Sequence, residues 1–187
     1  MNNIFEKGLT LTEMLVVISI VIVFSSMVFA NYGKGQESMA LERAGQKLGQ
    51  DLRRAQEMAM AGSFDSSTNA VGIYFEESSP TSYILYYNYN TDPVNFYYQS
   101  GTDLSKEVIN IEEGIKICNI KNNDVDVPSD NISVSFAPPE PVTRIQNYNS
   151  GYEASIILAP EAENCATTTK TRTIKVNNVG RIEVNNP

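Results

Sequence analysis

The sequence predicts an α+β chain in which a long N-terminal helix precedes a strand-rich domain. Three observations predict it. An uncharged apolar run spans residues 14–30, a helical stripe of apolar residues follows it, and beyond Gly62 short β-branched and aromatic runs alternate with turn residues. At 187 residues and 42% hydrophobic content the chain can bury one core. Four segments follow: 1–8 as a polar leader, 9–30 as a membrane-crossing helix, 31–61 as its amphipathic continuation, and 62–187 as a β-rich globular domain.

The apolar run approaches the ~20 residues that a helix needs to cross a bilayer core. A secretory signal would place a small-residue cleavage site after its apolar stretch. Here the polar leader ends at Lys7-Gly8 and the apolar residues come after it, so cleavage behind Gly8 leaves the hydrophobic helix on the mature chain. Glu13 is a lone carboxylate at the start of that helix. An intramembrane acid costs about 2.5–3.5 kcal/mol on insertion scales, which calls for a partner, unless Glu13 lies at headgroup level where the helix macrodipole favours negative charge.

Asn31-Tyr32-Gly33-Lys34-Gly35 places two helix-weakening glycines where the apolar run ends, so a bend or local melting is expected there. Leu41, Ala44, Leu48, Leu52, Ala55 and Ala59 then recur at spacings of three and four, one stripe of a helix suited to lie under a soluble domain. Glu42, Arg43, Lys47, Asp51 and Arg54 form its solvated face, with subunit contacts as the alternative.

Strands are expected at 70–75, 83–89, 95–99, 108–110, 115–120, 132–136, 154–158, 171–176 and 181–184. The last two read as a hairpin closed by Asn177-Asn178-Val179-Gly180, whose glycine can take positive φ.

Acidic residues outnumber basic ones by 22 to 14. From Gly62 onward there are sixteen acids against eight bases, so the soluble part carries the whole net charge of −8. A general electrostatic grip on nucleic acid or anionic lipid is disfavoured. Lys170, Arg172, Lys175 and Arg181 gather near the terminal hairpin, either as a local DNA- or partner-contacting face or as charges guarding a sheet edge.

The even cysteine count beyond an export segment favours a Cys118–Cys165 disulfide, with two separate thiols as the alternative. The chain has no histidine, so nucleophile-and-base constellations are scarce and no catalytic residue or cofactor is assigned. Glu76-Glu77 and Glu112-Glu113 are adjacent and would face opposite ways in a strand. The oxygen-rich stretch 122–126 lacks the spacing of a calcium loop and reads as a polar turn, so no metal is assigned. The tyrosines of 83–89 and 96–98 suit paired strands, or a contact surface for a subunit, a sugar or single-stranded nucleic acid.

Gly8, Leu9, the Thr10-Leu11-Thr12 triplet, Glu13 and the aliphatic run together resemble the class III signal of type IV prepilins and type II secretion pseudopilins. The resemblance implies cleavage after Gly8 by a membrane-embedded prepilin peptidase, N-methylation of Leu9, and pairing of Glu13 with the N-terminal amine of a neighbouring subunit. It further implies other pilin subunits and an inner-membrane assembly platform as partners, with the globular domain outside the cytoplasm. Leu9 stands where the family usually has phenylalanine, and Glu6 beside Lys7 weakens the positive-inside signal. Residues 134–139, 173–176 and 180–184 resemble the GspH/FimT-like minor pseudopilin domain, which implies a pilin-like fold with a long helix packed on an antiparallel β-sheet domain. Nothing in 83–114 resembles that family.

Overall fold

A computed structural model describes residues 10–62, 68–89, 97–126, 131–138, 142–145 and 153–185, with the side chains of 30–34, 105–106 and 142 outside the description. Two compact units divide the chain, Met1–Ser38 and Met39–Pro187.

Helix α1 is assigned over Leu11–Ala61. In the first unit it carries the apolar span Leu11–Phe29, long and apolar enough to cross a membrane and with none of it buried by the described residues of that unit. Helical backbone is maintained at Gly33 and Gly35, so the helix continues from the apolar run into the striped segment without melting there. Two glycines cost only about 2 kcal/mol relative to alanine, and helix propagation from good helix-forming turns on both sides offsets that.

In the second unit the stripe predicted from spacing is the buried one. Leu41, Ala44, Leu48, Leu52, Ala55 and Ala59 are all buried, and Leu52 and Ala55 have no exposed surface. Full burial of Leu48 and Leu52 contributes about 1.5–3 kcal/mol each. Gly62, at φ +57°, follows the helix in the left-handed conformation that closes many helix C-termini.

Among the described residues ten strands follow: β1 (Ala70–Glu76), β2 (Ser82–Asn88), β3 (Leu104–Asn110), β4 (Ile115–Asn122), β5 (Val125–Asp126), β6 (Asn131–Ala137), β7 (Val142–Ile145), β8 (Glu153–Pro160), β9 (Arg172–Asn177) and β10 (Ile182–Asn185). They form two five-stranded sheets, ordered β3-β2-β1-β6-β7 and β10-β9-β8-β4-β5. All of these named strand pairs are antiparallel.

Alternation decides which face of each sheet is apolar. In the first sheet Val71, Ile73 and Phe75 lie opposite Phe136, Val134 and Ile132. In the second, Ile156 lies between Ile120 and Ile174. These residues and the helical stripe belong to one buried cluster. A β-bulge at Cys118 shifts the β4 register between Ile117 and Asn119. The extra residue lets Ile117 and Ile120 both face the core although three positions separate them.

The terminal hairpin forms as the turn residues predict, with Ile182 paired to Val176, and Gly180 at φ +82°. It closes on the helix where the helix has no side chains. A Cβ on Gly45 would lie 2.6 Å from Arg172 Cγ, and one on Gly49 would lie 2.8 Å from Val184 Cγ2.

The strand expected at 95–99 is not found. Residues 95 and 96 lie outside the description, and 97–99 are non-strand. The Asp103 carboxylate accepts hydrogen bonds from Gln99 N at 2.7 Å and Tyr89 N at 3.2 Å, so a side chain takes backbone donors that a ladder would have used. Strands β5 and β7 are additional to the prediction, and β3 begins four residues earlier than expected. Both β5 and β7 are short edge strands with little apolar pattern of their own.

Candidate functional site

The chemistry of the N-terminal segment centres on the first turn of α1. The sequence there, Thr10-Leu11-Thr12-Glu13, closes on itself in a reciprocal cap. Glu13 N donates to Thr10 Oγ1 at 3.3 Å, while Thr10 N and Thr10 Oγ1 donate to Glu13 Oε2 at 2.9 and 2.8 Å. This is a capping box, satisfying two helix-end donors at once. Its signal, a threonine three residues before a glutamate and ahead of an apolar run, was available in the sequence and went unread. Gly8 and Leu9 lie outside the described residues.

Past Glu13 the span contains no charge, and its two hydroxyl side chains engaged in this way donate to their own helix. Ser19 Oγ bonds Val16 O at 2.7 Å and Ser26 Oγ bonds Val23 O at 2.7 Å. The result is a rod whose side-chain surface is predominantly apolar, with one carboxylate held at its N-terminal turn. Valine, isoleucine and phenylalanine side chains along it remain half to four-fifths exposed, which water penalises and an apolar environment does not.

Each of the four basic residues at or beside the terminal hairpin is ion-paired. Lys170 pairs with Glu163 at 2.8 Å, Lys175 with Glu153 at 2.6 Å and Asp124 at 3.6 Å, and Arg181 with Glu183 at 2.6 Å. Arg172 is buried, ion-paired with Glu42 of the helix. Arg172 and Lys175 are three apart on β9 and so leave opposite faces of the sheet. The hydrogen bond to Glu153 chiefly, with the neighbouring acids, holds the Lys175 ammonium above its ordinary lysine range. Sequence proximity therefore overstated the positive patch.

Cys118 and Cys165 are joined in a disulfide across 47 residues. Residues 122–126 form the β4–β5 hairpin turn, with Asn123 at φ +51° and Asp124 at φ +63°. Its carboxylates meet lysines: Asp126 lies 3.5 Å from Lys121 and Asp124 3.6 Å from Lys175. Among the described residues no group of three or more acids, histidines or cysteines is placed to hold a metal.

The adjacent acidic pairs are likewise engaged in structure. Glu112 accepts two hydrogen bonds from Arg43, at 3.1 and 2.9 Å. Glu77 Oε1 accepts from Ile120 N at 3.3 Å, a tie from the β1–β2 turn to the second sheet. The tyrosines divide by strand face. Tyr83 is buried toward the helix, its hydroxyl donating to Asp51 Oδ2 at 2.6 Å, and burial together with that carboxylate pushes the phenol far above its ordinary value. Tyr86 is buried on the opposite face, where Tyr98 packs beside both Tyr86 and Tyr74 at ring-centroid distances of 5.3 and 4.9 Å.

No known protein family, curated protein or solved structure matches this chain.

Proposed function

We propose that this chain is a membrane-anchored structural subunit of a type IV pilus or a type II secretion pseudopilus, a minor pilin or pseudopilin. It is cut between Gly8 and Leu9, methylated at the new N-terminus, and built into a filament through its N-terminal helix. The observation that carries this reading is Glu13, one carboxylate fixed in the first turn of a membrane-length span that is otherwise uncharged.

A carboxylate buried alone among helices would be strongly destabilising, whereas an ammonium beside it offsets the shared desolvation. The new amine of a neighbouring subunit's Leu9 supplies such a charge, so that one contact sets subunit register. The capping box contributes by fixing the glutamate side chain before that encounter. The disulfide agrees with a β-domain on the oxidising, non-cytoplasmic side of the membrane. The role is structural, with the energy for assembly coming from an inner-membrane platform. A DNA-binding tip module draws no support from a terminal hairpin whose predicted cations are paired.

Mass spectrometry of the chain recovered from membranes tests the proposal. The expected species begins at Leu9, lacks residues 1–8 and carries one added methyl group. A chain that retains Met1 to Gly8 in cells holding an active prepilin peptidase overturns it.

A further inference from the structure

We infer that the Cys118–Cys165 bond is a redox-sensitive surface latch, which holds the β8–β9 connection of residues 161–171 against β4 and whose reduction frees residues 164–169 while both sheets persist. The inference stands independently of the filament reading.

The bond lies outside the buried cluster. Cys165 is exposed and Cys118 is only partly buried. Cys118 is the extra residue of the β4 bulge, and the ladder to β8 resumes on either side of it, through Ile117 opposite Leu158 and Asn119 opposite Ile157. Neither cysteine is needed to complete a strand pair or to fill the core.

The connection itself is held unequally along its length. Its start is tied to the body of the domain by Glu161 N donating to Gly114 O at 2.7 Å and Lys116 Nζ donating to Glu161 O at 3.0 Å. Its end enters β9 at Arg172. Between them, Ala166 N donates to Asn164 Oδ1, and Thr167 N and Thr168 N donate to Asn164 O. These bonds shape the loop without fixing it to the sheet. The covalent bond at Cys165 ties residues 164–169 to β4, and the conformation they display belongs to the oxidised chain.

A dithiol reductant releases the latch in two exchange steps. One reductant thiolate attacks the exposed Cys165 sulfur, and Cys118 leaves as a thiolate that takes up a proton. The second reductant thiol then attacks the mixed disulfide, closing a disulfide within the reductant and releasing Cys165. Two electrons pass from the dithiol to the protein bond, and the chain ends with two thiols.

The test is amide hydrogen exchange on the full chain in detergent micelles, with and without dithiothreitol under native conditions. Exchange at Ala166, Thr167 and Thr168 is expected to accelerate about tenfold or more, as for a locally opened segment, while amides of β4 and β8 keep their protection. Parallel loss of protection in β4 and β8 would identify a core staple and overturn the inference. Unchanged exchange in 164–169 after complete reduction would also overturn it, as would a bond that dithiothreitol cuts only in denaturant. The double variant Cys118→Ser/Cys165→Ser should reproduce the reduced pattern without reductant. Should that variant fail to fold, reduction of the preformed native chain still decides the matter.

Discussion

Helix α1 runs through two regions that obey opposite rules. Over Leu11–Phe29 none of it is buried by the described residues of its own unit, whereas farther along Leu41, Leu48 and Leu52 are buried to 8%, 1% and 0% exposure. One helix thus carries an all-round apolar half and a striped half. The apolar half has the length and composition to cross a membrane. The striped half is covered by the chain's own sheets. Substitutions should therefore separate assembly from folding according to which half they touch.

The largest effect is expected at Glu13. Glu13→Gln retains a side chain able to complete the capping box but removes the charge. If Glu13 pairs with a neighbouring amine as proposed, removing one partner of that buried ion pair costs about 3 kcal/mol or more, and incorporation into filaments should fall about a hundredfold while the chain still fractionates with membranes. Immunoblots of sheared filaments against membrane fractions measure both quantities. Undiminished incorporation of the glutamine variant would remove charge pairing from the account and leave capping alone.

A second pair of variants sharpens the contrast. Leu48→Ala should lower the stability of the globular unit by about 3 kcal/mol, through lost burial and the cavity left behind. Ile22→Ala, in the uncovered half, should leave that unfolding transition within about 0.5 kcal/mol. Urea denaturation of the full chain in detergent, followed by tyrosine fluorescence because the sequence has ten tyrosines and no tryptophan, reports the difference.

Glycines offer a third contrast. Gly49→Ala sets a methyl 2.8 Å from Val184 Cγ2 and should cost about 1–2 kcal/mol in the same assay. Gly35→Ala meets nothing within 4 Å and should instead favour the helix by about 0.5–1 kcal/mol. Equal effects at the two positions would mean that the hairpin does not close on the helix through Gly49.

Tyr83→Phe removes the hydrogen bond to Asp51 and should cost about 1–2 kcal/mol at neutral pH. The sign with pH follows from the raised phenol. Because the folded state holds this proton more tightly than the unfolded chain, its contribution is complete below the ordinary phenol value of 10.0 and declines as pH rises beyond it. The Phe variant should accordingly lose stability less steeply in that alkaline range, as urea midpoints at a series of pH values will show.

Much of this was legible in the sequence because it rests on local pattern. The stripe from Leu41 to Ala59 declared its own buried face, since spacings of three and four fix a line on a helix whatever it packs against. Alternating Val71, Ile73 and Phe75 did the same for a strand, and Gly180 marked its turn. The four cations of the terminal region looked like one patch in sequence, yet strand alternation parts Arg172 from Lys175, and the acids that pair with several of them come from distant positions such as Glu42 and Glu153. No local rule could supply those partners.

By itself the sequence determined where the chain is apolar, where it turns, and that a single acid opens its hydrophobic helix, because these depend on residue type and period. The tertiary structure alone decided that the strands divide into two sheets, that Gly45 and Gly49 receive the terminal hairpin, and that Arg172 and Lys175 pair with Glu42 and Glu153. Each of these joins residues far apart in the chain, where loop closure must be overcome before a contact can stabilise anything, and geometry in space rather than order in sequence selects the partner.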